Sequence, residues 1–266
     1  MRIRLSKATI LDLEAHEIKA DGFRCYVGGE SGSGKSNAAA LIAEQVIMQD
    51  GQVIVLDSHG EYGNLWALNP SRIVRIGYGD DPVTQGSIEW CMLAIDEGKS
   101  LLIDLAHWTD LYPKELDAFA FELIRGLYEL RRRRPKLTLL IVEEAQSYCP
   151  QQQASGQADN VRVFISIATG GRKFGLQTLF TTQRQSLVDS NIISSCNVRI
   201  LLRTSEVRDW KRIRGYIPTH LGVTFNDSRT GIRHFEAGEA LVLSRWTPEA
   251  RLRLLQTSIA GIGLRY

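Results

Sequence analysis

The sequence predicts an α/β fold in which a mostly parallel β-sheet is covered by helices on both faces. Short apolar runs typical of buried parallel strands alternate along the chain with segments of helical periodicity. A glycine-rich phosphate-binding loop joins the first such strand to the first long helix, which is the context expected for this motif. The length of 266 residues suits one large domain with a substantial core.

The phosphate-binding loop fits the pattern G-x-x-x-x-G-K-[ST] at every fixed position. Its glycines permit positive φ, so that successive N–H groups can turn toward phosphate oxygens. Lys35 can reach the β- and γ-phosphates of a nucleotide, and the Ser36 hydroxyl can hold Mg²⁺. A Gly/Ser turn with an incidental lysine is the alternative, but the flanking strand and helix favour a nucleoside triphosphate site. The predicted nucleotide-binding residues are Gly29, Glu30, Ser31, Gly32, Ser33, Gly34, Lys35 and Ser36.

The remaining elements follow from apolar runs for strands and from three- and four-residue apolar spacing for helices. Strands are predicted at 23–27, 52–57, 72–76, 100–105, 137–142, 176–182 and 197–202, with a final edge strand at 239–243. Helices are predicted at 37–47, 84–98, 113–134 and 161–168. Residues 1–20 are expected to be an N-terminal arm or edge strand, and residues 21–266 one ATPase domain.

Composition indicates a globular protein of a reducing compartment. The net charge of +2 is too small to indicate a nucleic-acid partner by itself. The four cysteines are widely spaced without a C-x-x-C pair, which disfavours both a zinc site and a disulfide framework. No apolar run approaches the ~18 residues needed to cross a bilayer. We therefore expect a soluble cytoplasmic protein without a membrane partner.

Acidic and amide side chains follow several of the predicted strands. Glu143 and Glu144 follow the most apolar strand, where one acid can hold Mg²⁺ and its neighbour can activate water; we assign these roles in that order. A solvent-facing acid pair is the alternative. Gln183 ends the next strand, and its amide could sense the γ-phosphate or position water; an ordinary strand-end glutamine is the alternative. Asp57 ends the strand after the first helix and is expected at the phosphate end. His59 and Glu61 could support it.

Arginines at two helix ends have both a functional and a structural interpretation. Arg172 could be an arginine finger for the transferring phosphoryl group of a neighbouring subunit, or a cation that complements the helix dipole. Arg199 and Arg203 are lesser candidates for the finger. The run at 131–134 could contact DNA, but a solvated helix end is slightly favoured.

Together these segments resemble the HerA/FtsK superfamily of ring-forming P-loop ATPases, and its HerA-type branch in particular. The resemblance runs in order over roughly residues 20–245. The D-x-H-G-E-Y block at 57–62 and the G-R-K-F-G block at 171–175 are more specific than the phosphate loop itself. Other matching blocks lie at 29–36, 140–146, 181–184, 196–203 and 238–241.

The resemblance implies a RecA-like P-loop NTPase core in a homohexameric ring around double-stranded DNA, with ATP between subunits. It implies that Arg172 acts on the neighbouring subunit, that Glu144 is the catalytic acid, and that Asp57 and Gln183 belong to the active site. Two departures are visible. Family members often carry an N-terminal β-barrel, whereas about 20 residues precede the core here. Gln146 stands where a histidine is common. The first departure puts docking to a partner nuclease in doubt.

The function expected is therefore an ATP-hydrolysing, Mg²⁺-dependent hexameric motor that translocates double-stranded DNA. Two alternatives stay open at this point. One is a nucleotide-switched assembly ATPase that moves nothing, and the other is a genome-packaging ATPase of a virus or mobile element. A small-molecule kinase is disfavoured, because it leaves the acid pair and the arginine block unexplained.

Overall fold

Strands and helices alternate along the chain, as its apolar pattern predicts. The structure, a computed structural model, describes residues 1–12, 21–78, 83–106, 113–153 and 158–258. The strands are β1 (Arg2–Arg4), β2 (Ile10–Asp12), β3 (Arg24–Gly28), β4 (Gln52–Asp57), β5 (Ile73–Ile76), β6 (Ser100–Asp104), β7 (Thr138–Val142), β8 (Leu176–Thr182), β9 (Val198–Leu201), β10 (Glu239–Ser244) and β11 (Ala250–Arg253). The helices are α1 (Lys35–Met48), α2 (Ser87–Asp96), α3 (Pro113–Arg133), α4 (Ala145–Tyr148), α5 (Ala158–Gly170), α6 (Ser190–Ser195) and α7 (Val207–Ile213). Short 3-10 helices lie in several of the connecting segments.

Nine of the strands form one sheet in the order β11-β10-β9-β3-β8-β7-β4-β6-β5. Every neighbouring pair from β9 to β5 is parallel, while β10 runs antiparallel to both β9 and β11. Parallel neighbours need crossover connections, and the helices supply them.

Both faces of the sheet are buried, which explains why its central strands are continuously apolar. Side chains alternate across β4: Ile54 and Leu56 pack with α2, α3 and α5, whereas Val53 and Val55 pack with α1 on the opposite face. The predicted α/β class, with a mostly parallel sheet covered on both sides, is confirmed. Within the described residues, none of the helices combines the length and apolarity that crossing a bilayer requires.

The prediction that residues 239–243 form the final edge strand is wrong. β10 is an interior strand, since β11 pairs with it antiparallel, Glu239 opposite Arg253 and Val242 opposite Ala250. β11 has the sequence Ala-Arg-Leu-Arg and is only partly buried. Charged side chains on a short edge strand limit pairing with other chains, and they also hide such a strand from an apolar-pattern search.

The N-terminal segment forms a separate two-stranded sheet and not an edge of the main sheet. β1 and β2 pair antiparallel, with Ile3 opposite Leu11. Ile3 and Leu11 are fully buried against the face that carries α1. The side chains of Gln45 and Gln49 on α1 hydrogen-bond the backbone of β1. Residues 13–20 of the predicted arm lie outside the described residues, and a subunit-contact role for the arm stays a prediction.

Arg131 corrects the expectation of a solvated helix end. Arg131 is only 2% exposed, whereas the neighbouring Arg132 is exposed. Its Nε donates to Thr138 Oγ1 at 2.9 Å, and its Nη2 donates to Gln52 Oε1 at 2.5 Å and to the Ile95 carbonyl at 3.2 Å. The guanidinium therefore joins α3 to β7, β4 and α2 at the amino edge of the sheet.

We expect Arg131→Ala to lower the free energy of unfolding by about 3 kcal/mol, because it leaves buried hydrogen-bond acceptors without a donor and creates a cavity. Arg132→Ala is the matched control and should change stability by less than about 0.5 kcal/mol. Urea denaturation of both variants provides the comparison. Equal stabilities for the two variants would contradict the structural role of Arg131.

Candidate nucleotide-binding site

Four adjacent strands bring the sequence motifs to one edge of the sheet. Gly28 at the end of β3 pairs with Thr182 at the end of β8. Val142 at the end of β7 pairs with Phe180 of β8 on one side and with Leu56 of β4 on the other. Because the strands are parallel, the segments that follow them emerge together beyond their carboxyl ends, where ligands of open α/β sheets bind.

The phosphate-binding loop turns tightly from β3 into α1. Gly32 and Gly34 have φ of 70° and 107°, a backbone region that favours glycine. A Cβ at Gly34 would also lie 3.1 Å from the backbone nitrogen of Gly238. The Gly238 N–H donates to the Ser33 carbonyl at 2.9 Å, so the segment before β10 supports the loop from outside. The local sequence and a distant segment thus hold the loop jointly.

The loop and the strand ends enclose an open cavity of about 300 Å³. Six of the predicted site residues other than the loop glycines line it, namely Ser31, Lys35, Ser36, Glu143, Glu144 and Gln183. The lining residues are Ser31, Gly32, Gly34, Lys35, Ser36, Asn37, His59, Glu61, Glu143, Glu144 and Gln183. Most of the residues singled out from motifs far apart in sequence therefore share one cavity.

Lys35 lies at the centre of this cavity and is 9% exposed. Its Nζ donates to the carbonyl of Glu30 within the same loop at 3.1 Å. Burial lowers the pKa of Lys35, while the nearby Glu144 and Glu143 carboxylates oppose that shift. A bound phosphate would give the ammonium a charged partner within the loop.

Glu143 is 3% exposed, and its side chain faces the turn after β4. Its Oε2 accepts the Ser58 N–H at 2.9 Å and lies 3.4 Å from Nδ1 of His59. Burial raises the pKa of Glu143 to about 7. The hydrogen bond to Glu143 raises the pKa of His59 to about 9, against the desolvation of the imidazole. The two groups therefore form an ion pair of a buried carboxylate with a half-exposed imidazolium.

Glu144 has an unusual backbone conformation at the end of β7. Its φ of 50° and ψ of 55° lie in the left-handed region, which is costly for a residue with a side chain. Its Oε2 accepts hydrogen bonds from Gln146 Nε2 at 2.6 Å and from the Gln183 N–H at 3.3 Å. The carboxylate thus reaches the carboxyl end of β8, beside Gln183 and within the cavity.

Asp57 has a different position from the one that the sequence predicts. Its carboxylate is fully buried and accepts the N–H groups of His59, Glu61 and Tyr62 at 3.2, 3.1 and 2.9 Å. It also accepts the Tyr78 hydroxyl at 2.5 Å. Asp57 is not among the side chains that line the cavity. It therefore shapes the turn that presents His59 and Glu61, and we correct its expected direct role to a structural one.

Arg172 lies at the opposite edge of the sheet from the phosphate loop. It belongs to the turn Gly171–Phe174 immediately before the amino end of β8, and its Nη1 lies 3.5 Å from the Asp21 carboxylate. β8 has seven residues, which at about 3.3 Å per residue separates the two edges by roughly 20 Å. That distance exceeds the reach of an arginine side chain. Arg172 therefore cannot contact a nucleotide held by the loop of its own chain.

The lesser arginine candidates have partners within the chain. Arg203 pairs through its Nε with the carboxylate of Glu30 in the phosphate loop, and Ser205 also donates to that carboxylate. Arg199 lies 4.6 Å above the ring of Tyr216 and donates to the Ile193 carbonyl at 3.2 Å. Arg203 thus braces the loop of its own chain, and the sequence contained no signal for this pairing.

The segment after β11 returns to helix α1 and was not anticipated as part of the site. Asn37, which lines the cavity, donates through Nδ2 to the Leu255 carbonyl at 2.9 Å and accepts the Thr257 N–H at 3.1 Å. Two turns further along α1, the buried Glu44 carboxylate accepts the Ser258 N–H at 3.0 Å. The chain near residue 258 therefore packs beside the nucleotide cavity.

The charges of the cavity fit a divalent cation accompanying a triphosphate. Three carboxylates, those of Glu61, Glu143 and Glu144, surround Lys35 and would repel a polyanion on their own. Mg²⁺ typically binds through one or two protein oxygens together with phosphate oxygens and water. Ser36 and Glu143 could supply the protein oxygens. Among the described residues, no cluster of three His, Cys, Asp or Glu side chains could hold a metal alone.

Comparisons with known proteins agree with this geometry. Residues 24–146 match the sequence family described as "Helicase HerA, central domain". A segment of 84 residues is 37% identical to the DNA double-strand break repair helicase HerA of Pyrococcus furiosus, and it covers 30% of this chain and 15% of that protein. The match therefore spans a small part of the relative's length.

Solved structures share the fold over most of the chain. The genome packaging NTPase B204 of Sulfolobus turreted icosahedral virus 2, in complex with AMP, aligns over 88% of this chain and 98% of its own, with a TM-score of 0.59 and 14% identity. VirB4 of Thermoanaerobacter pseudethanolicus aligns over 88% of this chain and 90% of its own, with a TM-score of 0.66 and 12% identity. At these identities the likeness concerns the fold alone.

The resemblance inferred from the motifs is thereby confirmed over residues 24–146, which match the HerA central domain, and these comparisons support an ATPase.

Proposed function

We propose that this ATPase is an Mg²⁺-dependent motor that translocates double-stranded DNA as a homohexameric ring. One observation carries the proposal. Lys35, Glu144 and Gln183 share a cavity, whereas Arg172 lies about 20 Å away at the other sheet edge. A ring in which each subunit presents its amino edge to the next subunit's cavity would complete the site. The relative from Pyrococcus furiosus, named a DNA repair helicase, supports DNA as the substrate.

The charge distribution supports a polyanionic partner. Residues 203–234, which lie between β9 and β10, carry seven arginines and lysines against three acidic residues, although the whole chain has a net charge of only +2. Arg208, Lys211, Arg214, Arg229 and Arg233 of this segment are exposed. Clustered exposed cations are the electrostatic signature of phosphate-backbone binding. This segment is a candidate contact with the DNA backbone.

The proposed reaction is in-line attack of water on the γ-phosphate of ATP, in which the bond from the γ-phosphorus to the bridging oxygen breaks and ADP leaves. Lys35 and the loop N–H groups would bind the β- and γ-phosphates, and Ser36 and Glu143 would hold Mg²⁺. Mg²⁺, when bound, would neutralise charge on these phosphates. Glu144 would take the proton of the attacking water, and the Gln183 amide would orient that water beside the γ-phosphate. Arg172 of the neighbouring subunit would neutralise the charge that develops on the transferred group.

Other functions for an ATPase with this site have less support. The likeness to a packaging NTPase concerns the fold alone, so it does not favour genome packaging over other kinds of translocation. A partner nuclease and a cytoplasmic location remain predictions. The principal rival is a nucleotide-switched assembly ATPase, which would hydrolyse ATP at a rate indifferent to DNA.

We expect duplex DNA to accelerate ATP hydrolysis severalfold, because a motor couples turnover to its track. Glu144→Gln should lower turnover with DNA by about 100-fold or more while ATP binding persists, since only the base for water is lost. Lys35→Ala should lose both binding and turnover. Steady-state phosphate release and the binding of a fluorescent ATP analogue, measured in parallel, separate the two variants.

A hydrolysis rate that is the same with and without duplex DNA would contradict the motor and favour the switch. If Glu144→Gln hydrolysed ATP as fast as the parent chain, Glu144 could not be the base.

Mixing two inactive variants tests whether Arg172 serves a neighbour. Rings assembled from equal amounts of Arg172→Ala and Lys35→Ala chains should regain roughly a quarter of parent activity. Statistically, that fraction of interfaces pairs an intact loop with an intact arginine in a head-to-tail ring. ATP hydrolysis of the refolded or co-expressed mixture is the measurement.

The matched control is a mixture of Lys35→Ala and Glu144→Gln chains. Both changes damage the same subunit's cavity, so this mixture should stay inactive. Recovery in the control, or none in the Arg172→Ala mixture despite ring formation, would argue against a finger in trans.

The Glu143–His59 pair predicts a specific pH dependence. The raised pKa of folded His59 contributes stability that is lost as pH rises from the ordinary histidine value of 6.5 through about 9. Both members of the pair are charged between about pH 7, the raised pKa of Glu143, and about pH 9. Glu143→Gln should return the His59 pKa toward 6.5. NMR titration of the imidazole resonances, assigned with His59→Asn, measures this shift. Glu61→Gln, which removes a weaker neighbouring charge, is the control and should move the His59 pKa far less. An unchanged His59 pKa in Glu143→Gln would exclude the pair.

A further inference from the structure

The carboxamide of Gln146 connects Glu144, which lines the cavity, to Thr182 at the end of β8, and the reaction described above does not use it. Its Nε2 donates to Glu144 Oε2 at 2.6 Å, and its Oε1 accepts the Thr182 hydroxyl at 2.5 Å. Thr182 ends β8, next to Gln183. Gln146 therefore bridges the proposed catalytic carboxylate of one strand end to the neighbouring strand end.

The direction of these hydrogen bonds is determined by a backbone donor. The Arg184 N–H, which can only donate, gives its hydrogen to Thr182 Oγ1 at 3.0 Å. The Thr182 hydroxyl proton is then available for Gln146 Oε1. The reversed amide would place its oxygen against the Glu144 carboxylate and its NH₂ group against a hydroxyl already receiving a hydrogen bond. The relay thus runs from Arg184 through Thr182 and Gln146 to Glu144.

The same oxygen of Glu144 also accepts the Gln183 N–H at 3.3 Å. Both hydrogen bonds that described residues donate to this carboxylate therefore reach Oε2. Oε1 is the oxygen left to accept a proton from water. Two donors on one oxygen determine the rotation of the carboxylate plane, a torsion that is otherwise broad for glutamate.

The backbone around Gln146 is itself held in place. Helix α4 begins after the left-handed residue Glu144, and its Ala145 and Tyr148 are buried on either side of Gln146. The side chain of Gln146 is half-buried and is not among the residues that line the cavity. A carboxamide on a fixed backbone can therefore act as a rigid support for the Glu144 side chain.

We propose that Gln146 is a positioning residue, which holds the Glu144 carboxylate against the end of β8 so that Oε1 meets the attacking water. This inference rests on the proposed role of Glu144 as the base. Gln146 does not contact the nucleotide in this arrangement and acts only through Glu144. Loss of such a support commonly costs about 10- to 100-fold in rate, because small displacements of a reacting group slow proton transfer.

The test removes the hydrogen-bond donor and acceptor of Gln146 while it keeps the volume of the side chain. Gln146→Leu keeps the volume but removes both hydrogen bonds, and should lower kcat by about 10- to 100-fold. The affinity for a non-hydrolysable ATP analogue should stay within about 3-fold of the parent value, since no nucleotide contact is lost. Gln146→His, which retains one donor and one acceptor, should recover most of the loss. Gln152→Leu, at an exposed glutamine of the following loop, is the matched control and should keep the parent kcat.

A second set of variants, made in Glu144→Gln chains, separates a positioning role from general structural damage. In Glu144→Gln chains, adding Gln146→Leu should cause no further loss of turnover, because no base remains to be oriented. Thr182→Val should lower kcat less than Gln146→Leu, and the two changes should not be additive, because they interrupt the same relay. Thermal unfolding of each variant checks that the chain is folded.

The outcomes distinguish the inference from the function on which it rests. Parent-like kcat in folded Gln146→Leu, or a parallel loss of analogue binding, would overturn the positioning role while leaving the proposed function intact if Glu144→Gln is inactive. Additional loss in the Glu144→Gln background would also overturn it. Parent-like turnover in Glu144→Gln alone would instead show that Glu144 is not the base, and it would overturn the positioning role of Gln146 as well.

Discussion

Parallel pairing of β3, β8, β7 and β4 is the constraint on which the site depends. Gly28, Thr182, Val142 and Leu56 come into register only because these strands run in the same direction with matched ends. A shift of one residue would turn the buried side chains toward the wrong face of the sheet. The apolar packing on both faces therefore also determines where the polar strand ends meet. Catalytic geometry and core packing are consequences of the same register.

The cavity concentrates negative charge around a single lysine. Glu143 and Glu144 are nearly buried, and N–H groups, the His59 imidazole and Lys35 lie close to them. Burial still raises the pKa of Glu143 to about 7, so these partners do not fully compensate for lost water. A cation that arrives with the triphosphate would relieve this imbalance. Within the protein itself, His59 is the partner that lies beside Glu143.

In the proposed motor, Arg172 of a neighbouring subunit would complete the site, which would give oligomerisation a chemical purpose. The phosphate loop lies beyond the carboxyl ends of the strands, whereas Arg172 lies before their amino ends. The ion pair between Arg172 and Asp21 is partly exposed on both sides, and surface pairs of this kind contribute little to stability. Glu144, in contrast, is supported by a residue of its own chain, Gln146.

The sequence by itself determined the α/β class, the phosphate loop and most of the strand positions. These depend on local properties: apolar runs, glycine conformations and eight consecutive loop residues. It also indicated which polar residues follow the strands, because parallel strand ends converge in this class.

Only the tertiary structure decided what those polar residues touch. Arg131 is buried because Gln52, 79 residues away, accepts its hydrogen bond. Gln146 gains its support role from Thr182, 36 residues away, and Asp57 turns toward its own following loop and not toward the cavity. β11 is short and charged, so only pairing with β10 reveals it. Side-chain partners depend on contacts between segments that are distant in sequence, and no local pattern specifies them.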